Sequence, residues 1–427
     1  MMKANVTDLE IEQQLLPLFD TTGNPFARRA LAHVLLELPS AQEAVYERQQ
    51  LIQSFINNGY VYTKIEYSKQ DFEEVLHTFS RINDQYYYYD SNQVIATVQL
   101  LWRRRYRHSM RSRLAQLALF MEKMDLYFEQ VDPALFPVVF GERLVALKQY
   151  LSMFHAVDIA KRIRKDRFGV KDQLFLLDLL NRRIAANAAN MHWETFYAYE
   201  AWLSLAQGMI KHAFVFPTFA EGGLQLKDFY HPALKHPVKN DLEVNDTVML
   251  LTGPNMSGKS TLLKALGICI YLAHAGVGVP ARYCRLPYFD SITVIINLSD
   301  DLKHGYSHFM MEVQHLKNVV QEAGSGKRCF AVFDELFRGT NVDDALDISQ
   351  QTISGLNRFR GSFFVVSTHL YQLQPLLPEI NAWYIDCKLK DHSPQFLYRL
   401  KPGWSDLKIG RIIFEKEGLP ALLQKNG

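Results

Sequence analysis

The stretch GPNMSGKST, from Gly253 to Thr261, constrains the fold more than any other part of this chain. It begins with the pattern GxxxxGK(S/T), in which glycines let backbone N–H groups turn inward around a phosphate. An apolar run, Val248 to Leu251, precedes it, and the apolar residues that follow recur at helical spacing: Leu262, Leu263, Leu266 and Ile270. A strand, a phosphate-binding loop and a helix in this order predict a nucleotide-binding α/β layer.

The polar residues of this loop have chemical reasons to be there. Lys259 is long enough to reach β- and γ-phosphate oxygens, and the Ser260 hydroxyl is a ligand for Mg²⁺. The N-terminus of the following helix adds partial positive charge. The sequence therefore predicts a bound nucleotide with Mg²⁺, held by the whole stretch: Gly253, Pro254, Asn255, Met256, Ser257, Gly258, Lys259, Ser260 and Thr261.

Two further strand ends carry residues suited to triphosphate hydrolysis. Asp334 follows a short apolar run and is predicted to hold Mg²⁺ through water, while Glu335 is predicted to orient or deprotonate the attacking water. Another apolar run, Phe363 to Ser367, is followed by His369, which is predicted to sense the γ-phosphate. The alternatives are a solvated acidic pair and a structural histidine. The catalytic candidates are Lys259, Glu335 and His369.

The two halves of the chain differ in their apolar spacing. From about residue 10 to 210 the spacing is mostly helical, and Asn24 followed by Pro25 is typical of the start of a helix. Near residue 215, prolines and a Gly-Gly pair indicate turns, and beyond them short apolar runs alternate with helical patterns. The predicted fold class is α + α/β, with an all-helical domain over residues 1–225 and a nucleotide-binding domain with a largely parallel sheet over residues 226–427.

Composition narrows the class of protein. Of the 427 residues 48% are hydrophobic and 22% charged, and no stretch approaches the roughly 18 unbroken apolar residues of a membrane helix. The four cysteines lie far apart without a CxxC pair, so neither a zinc site nor a disulfide framework is indicated. The first residues do not fit an export signal, and a cytoplasmic location without membrane partners is expected. A net charge of +2 argues neither for nor against nucleic acid.

Five motifs follow one another in the second half of the chain. They are GPNMSGKST at Gly253, Asp300-Asp301 followed by Ser307, Phe309, Met310 and Glu312, Asp334-Glu335 with Arg338-Gly339-Thr340, Ser367-Thr368-His369, and a tail from Leu400 to Pro420. In this order they resemble the MutS family of DNA mismatch-repair ATPases, whose loop has a glycine where this chain has Ser257. The resemblance covers most of the chain. It is to a short form, because the mismatch-recognition and connector domains have no room ahead of the core-like segment.

The resemblance implies an ABC-like P-loop ATPase domain that follows a helical core and lever, with the clamp reduced or absent. It implies that ATP, with Mg²⁺, lies between the ATPase domains of a homodimer, so that Ser307 reaches the γ-phosphate held by the other subunit. The adenine would lie between the side chains of Val238 and Tyr398. DNA, and repair or recombination proteins, are the implied partners.

Local clusters of positive charge agree with DNA binding. The stretch WRRRYRHSMRSR, Trp102 to Arg113, could bind phosphates without reading bases, and so could the basic stretch from Lys161 to Arg167. The alternative for each is a solvated helix face with ion pairs to nearby acids. The candidate DNA-binding residues are Arg103, Arg104, Arg105 and Arg107.

Two functions from different classes fit these features. The leading hypothesis is an ATP-dependent DNA-binding protein of the mismatch-repair type that clamps on DNA and recognises DNA shape or junctions rather than a single mispair. The alternative is an ATP-gated switch that binds a protein or RNA partner through its helical arms. A transporter ATP-binding subunit is discounted because the LSGGQ signature is absent.

Overall fold

The computed structural model describes residues 3–83, 104–184, 188–254, 256–296, 308–337, 340–390, 393–405 and 409–424. Contacts between residues divide the chain into two compact units. The helical unit contains Phe19–His33 and Gln50–Ile210, and the sheet unit contains Met1–Leu18, Val34–Gln49 and Lys211–Gly427. Within the described ranges, no helix combines the length and the apolar character that crossing a membrane requires.

The first half of the chain is largely helical, as its spacing predicts. Tyr199 packs its ring against Phe55 and Phe128 in the core of the helical unit, with centroids 5.0 and 4.9 Å away. Asn24 Oδ1 accepts a hydrogen bond from the Ala27 N–H at 2.9 Å, which confirms the predicted helix start. In chain order the helices are Leu16–Phe19 (α1), Pro25–Leu36 (α2), Gln42–Asn57 (α3), Lys69–Asn83 (α4), Arg104–Glu129 (α5), Val138–Ser152 (α6), Ala156–Arg164 (α7), Val170–Ile184 (α8) and Ala188–Lys211 (α9).

The sheet unit contains two sheets. In chain order the strands are Lys3–Asn5 (β1), Thr218–Phe219 (β2), Leu224–Phe229 (β3), Asn240–Val244 (β4), Val248–Thr252 (β5), Tyr283–Leu286 (β6), Ser291–Ile295 (β7), Cys329–Phe333 (β8), Phe363–Ser367 (β9), Ala382–Lys390 (β10) and Ser393–Pro402 (β11). A seven-stranded sheet has the order β1-β7-β8-β9-β5-β10-β11, and a four-stranded sheet has the order β2-β6-β3-β4. Among the described strands of the larger sheet, β10 and β11 are the one antiparallel pair, which confirms the predicted, largely parallel sheet.

The order of the central strands places the candidate residues together. Strands β8, β9 and β5 are adjacent and parallel, and every residue in them is buried, as is typical of a sheet covered on both faces. Their carboxyl ends therefore meet at one edge, where α/β sheets commonly bind ligands. The helices of this half are Lys259–Ala275 (α10), His308–Gly324 (α11), Val342–Leu356 (α12), Ile409–Lys416 (α13) and Leu419–Gln424 (α14).

The two units differ from the two continuous domains predicted from the sequence. That prediction divides the chain once, after residue 225, whereas residues 1–18 and 34–49 group with the C-terminal half. Strand β1 shows why, because it pairs in parallel with β7 at one edge of the larger sheet. Beside it, Asp8 Oδ2 accepts a hydrogen bond from the Ile296 N–H at 2.7 Å. Contacts between residues so distant in sequence leave no local pattern.

Arg48 joins three backbone segments of the sheet unit. Its guanidinium donates to the carbonyl oxygens of Val34 at 2.9 Å, Glu37 at 3.0 Å and Ala275 at 3.0 Å. Val34 lies in the last turn of α2 and Ala275 ends α10, so these carbonyls have no partner within their own helices. Burial lowers the pKa of Arg48 from its ordinary value, yet the side chain remains a cation at neutral pH.

We expect Arg48→Ala to lower the free energy of unfolding by on the order of 3 kcal/mol, because hydrogen bonds to a charged donor are lost and buried carbonyls are left unpaired. Urea denaturation followed by circular dichroism measures the change. The exposed Arg360, changed to alanine, is the matched control and should stay within about 0.5 kcal/mol of the parent. Equal stability of the two variants would contradict this role of Arg48.

Candidate nucleotide site

The loop after β5 has three residues with positive φ. Gly253 and Gly258 have φ values of 139° and 94°, a region that glycine adopts without cost, and Met256 has a φ of 68°. A Cβ placed on Gly253 would lie 3.2 Å from Ser257 Oγ, so the loop backbone and this side chain are in close contact. The loop leads directly into α10, whose first residue is Lys259. Asn255 lies outside the described residues.

Lys259 lies inside this loop, with only 6% of its surface exposed. Its Nζ donates to the carbonyl oxygens of Gly253 at 2.9 Å and Pro254 at 3.3 Å. Burial lowers the pKa of Lys259, while the carboxylates of Glu335 and Asp334 act in the opposite direction. Two carbonyl oxygens of the loop therefore hold the Lys259 ammonium group in place.

Asp334 follows β8 and contacts the start of α10. The Ser260 hydroxyl donates to Asp334 Oδ2 at 2.7 Å, and the Ser367 hydroxyl at the end of β9 donates to Asp334 Oδ1. One hydroxyl and one carboxylate oxygen are therefore adjacent, and Mg²⁺ is commonly held by one or two such ligands together with substrate phosphates. These residues fit a magnesium ion. The described residues hold no cluster of three or more His, Cys, Asp or Glu suited to a metal.

Glu335 lies beside the loop lysine in an unusual backbone conformation. Its Oε1 is 3.8 Å from Lys259 Nζ, its φ is 52°, and its N–H donates to Ser367 Oγ at 3.1 Å. Phe337 also has a positive φ, 65°, and its N–H donates to the buried carboxylate of Glu312 at 2.7 Å. Such backbone conformations persist only where surrounding bonds hold them, and they cluster at functional sites. Ser367 and Glu312 belong to two of the sequence motifs, but the motifs do not indicate that these side chains accept hydrogen bonds from the backbone around Glu335.

His369 follows β9 near the same edge of the sheet, and its side chain is exposed. The neighbouring Thr368 is buried; its N–H donates to the Leu251 carbonyl at 3.0 Å, and its Oγ1 accepts from the Leu370 N–H at 3.0 Å. The bonded Thr368 fixes the backbone from which His369 projects. Contact of His369 with a γ-phosphate stays a prediction.

A cavity of about 190 Å³ lies against the loop. Val238 and Tyr398, the two residues predicted to flank the adenine, both line it, together with Gly258 and Thr261 at the start of α10. A Cβ on Gly258 would lie 3.0 Å from Tyr398 Cδ1, so the tyrosine ring rests on the loop backbone. His231 also lines the cavity, and burial lowers its pKa. The cavity therefore adjoins the place where a phosphate chain would begin.

A family model described as MutS domain V matches residues 249–426. A DNA mismatch repair protein MutS from Thermus thermophilus is 33% identical over 225 residues, which cover 52% of this chain and 27% of that protein. The C-terminal part of this chain is similar to the MutS family. The MutS protein of Carboxydothermus hydrogenoformans is 32% identical over 231 residues, which cover 51% of this chain and 27% of that protein. The MutS protein of Streptococcus sanguinis is 31% identical over 242 residues, which cover 54% of this chain and 28% of that protein.

The extent of these matches separates the chain into two parts. Every candidate from Gly253 to Tyr398 falls within MutS domain V, whereas Val238 precedes it. The chain spans a little more than a quarter of the length of the MutS relatives it matches. Activities of whole MutS proteins are therefore proposals for this chain.

Several predicted residues lie outside the described part of the chain or at its limit. Ser307, the candidate for contact across the MutS dimer, and Arg103 belong to segments that are not described. Arg104, Arg105 and Arg107 lie in the first turn of α5, and only their backbone is described.

The second basic stretch is largely ion-paired. Arg162 Nε lies 3.0 Å from Asp172 Oδ1, and Arg164 forms a two-bond pair with the buried carboxylate of Glu122. Lys161 Nζ lies 3.7 Å from Asp158 Oδ1, while Asp166, the acid within the stretch, pairs with Arg111 of the first basic stretch at 2.6 Å. Residues Lys161 to Arg167 therefore fit the ion-paired helix face that was the alternative to phosphate binding.

Proposed function

We propose that this chain hydrolyses ATP with Mg²⁺ at the loop site and couples hydrolysis to DNA binding, as a MutS-type ATPase of the ABC-like P-loop class. One observation carries the proposal: Lys259, Ser260, Asp334 and Glu335 converge within 2.7–3.8 Å contacts at the carboxyl ends of neighbouring parallel strands. Phosphoryl transfer requires a cation on the phosphates, a metal ligand set and a group that positions water. The four side chains supply them.

Each residue has a distinct task in this reaction. The loop backbone and Lys259 bind the β- and γ-phosphates. Lys259 Nζ, which here donates to the Gly253 and Pro254 carbonyl oxygens, donates to phosphate oxygens instead when ATP is bound. Ser260 and Asp334 would hold Mg²⁺, which neutralises charge that develops on the phosphates. Glu335 accepts the proton of the attacking water or orients it. His369 contacts the γ-phosphate, and Val238 and Tyr398 flank the adenine.

The phosphate loop leaves one side of the γ-phosphate open to water. We propose that a second copy of the chain covers it with Ser307, so that ATP lies between two subunits. A site completed by two chains couples hydrolysis to subunit movement, because the γ-phosphate stabilises only the closed pair. The relatives are named as DNA mismatch repair proteins, and DNA is accordingly the proposed partner, recognised by shape or junctions.

A second candidate function is an ATP-gated switch that binds a protein or RNA partner through the helical unit. The ion pairs of Arg162 and Arg164 favour a protein partner, because they leave fewer cations for phosphate contacts. The Arg103 to Arg107 segment is then the main candidate for such contacts. Salt dependence separates the two functions. Each phosphate contact adds about 0.9 to the slope of log affinity against log salt for duplex DNA.

We expect purified protein to hydrolyse ATP with Mg²⁺ and to bind branched or duplex DNA with an affinity that falls steeply between low and physiological salt. Changing Arg103, Arg104 and Arg105 together to alanine should reduce the salt slope by roughly 3, because three phosphate contacts are lost. Fluorescence anisotropy over a salt series measures it.

The matched control removes three arginines of the sheet unit that are bonded within the protein. Arg282 pairs with Asp228, Arg328 pairs with Glu221, and Arg285 donates to the Glu221 carbonyl. Their replacement by alanine makes the same change in net charge and should leave the slope nearly unchanged. Absence of DNA binding at low salt would contradict the DNA proposal and support the protein or RNA switch.

A further inference from the structure

Asn240, the first residue of β4, bonds to backbone atoms beside the cavity through both amide hydrogens and its carbonyl oxygen. The side chain is 8% exposed. Its Oδ1 accepts from the Leu400 N–H at 2.7 Å, and its Nδ2 donates to the carbonyl oxygens of Tyr398 at 3.2 Å and Val238 at 3.4 Å. A carboxamide has two donor hydrogens and one carbonyl oxygen, so all three are used. One side chain thus binds the two segments that contribute Val238 and Tyr398 to the cavity.

Tyr398 needs such support because its backbone is strained. Its φ is 56°, which costs a residue with a Cβ on the order of 1 kcal/mol or more. The bonds of Asn240 bracket this residue, one to its own carbonyl and one to the N–H two positions later. In this conformation the ring contacts Gly258 of the phosphate loop and stacks on Phe396 at 6.3 Å. A relaxed φ would turn the ring away from the loop.

Val238 depends on the same side chain from the other segment. It lies in the connection between β3 and β4, two positions before Asn240, and is 37% exposed. A flat base between two side chains gains contact only when their separation matches its thickness. Because Asn240 bonds to the carbonyl oxygens of both Val238 and Tyr398, the distance between these two residues is set before any base binds.

We propose that Asn240 is a positioning residue that fixes the spacing of Val238 and Tyr398 for a purine base, an inference that rests on the proposed ATP-binding function. Asn240 touches neither the phosphate loop's lysine nor the acids at the strand ends in the described structure, and the reacting groups are held by separate bonds. Its loss should therefore weaken binding of the base and leave binding of the phosphates unchanged.

Calorimetry with two ligands separates these contributions: a non-hydrolysable ATP analogue, adenylyl imidodiphosphate, and inorganic tripolyphosphate, which has no base. For Asn240→Ala we expect the dissociation constant of the analogue to rise about 10-fold and that of tripolyphosphate to change less than about 2-fold, since a preorganised contact is lost on the base alone. In turnover assays KM for ATP rises and kcat is retained. Asn240→Ser should behave alike, because a hydroxyl donates one hydrogen and cannot bind both carbonyls.

Asn381 provides the matched control, since its amide donates to Asp246 at 2.6 Å on the exposed surface of the same unit. Asn381→Ala should bind both ligands as the parent does. The inference is overturned if both Asn240 variants bind the analogue normally, if both ligands weaken equally, or if both variants fail to fold while Asn381→Ala folds. If the parent chain binds neither ligand, the proposed function fails, and the inference falls with it.

Discussion

Glu335→Gln should retain ATP binding and lose at least about 100-fold in turnover, the contribution typical of a general base. The amide has the size of the carboxylate but cannot accept the proton of the attacking water. The phosphate cradle is built from other groups, the loop backbone and Lys259, so the dissociation constant of ATP should change little. Phosphate release under single-turnover conditions measures the chemical step, and calorimetry measures binding.

The control is the same chemical change at an exposed acid of the sheet unit. Glu379→Gln should hydrolyse ATP at the parent rate. Unchanged turnover in Glu335→Gln would remove Glu335 from the mechanism. Loss of both binding and turnover would instead give Glu335 a structural role, as a partner of Lys259 at 3.8 Å.

The central strands could be predicted because each has a simple sequence pattern. Strands β5, β8 and β9 are runs of five buried residues, and such unbroken apolar runs between helical patterns indicate a parallel sheet. The residues that follow them were predicted as a site from the phosphate-loop pattern and the chemistry of hydrolysis, and the order of the parallel strands places them at one edge of the sheet.

The N-terminal strand could not be predicted in this way. Strand β1 has only three residues, and it exists because β7 offers a free edge. The apolar residues after it are spaced like those of a helix, yet Leu9 packs near Gly267 of α10, where a Cβ would lie 3.1 Å from Leu9 Cδ2. Local spacing shows that a residue is buried, but it does not show what covers it. The boundary placed after residue 225 differs from the compact units for this reason.

Single polar residues were the other limit of sequence reasoning. Lys259 and Asp334 stand in motifs whose spacing predicts their role, whereas Asn240 bonds to backbone atoms up to 160 residues away. The basic stretch from Lys161 to Arg167 shows the same limit, because the acid that pairs with Arg164 lies 42 residues earlier, in α5. Charge clusters in a sequence therefore overstate the charge available to a partner.

If two copies of this chain complete each ATP site, then two impaired variants should complement each other. Lys259→Ala removes the phosphate-binding cation of its own loop, and Ser307→Ala removes the contact to the ATP held by the other chain. A hydrogen bond to a charged group contributes about 1.5–3 kcal/mol, so Ser307→Ala alone should lose about 10-fold to 100-fold in turnover. Lys259→Ala alone should be inactive.

A mixed dimer of the two variants, purified by a different affinity tag on each chain, contains one site with both defects and one site with neither. We expect the mixed dimer to regain about half of the parent turnover per dimer, because a two-fold symmetric pair has two equivalent sites. A dimer of differently tagged Lys259→Ala chains is the control and should stay inactive. Two results would rule out an ATP site shared between two chains. One is a mixed dimer no more active than the Ser307→Ala dimer, and the other is a monomer that hydrolyses ATP at the full rate at saturating nucleotide.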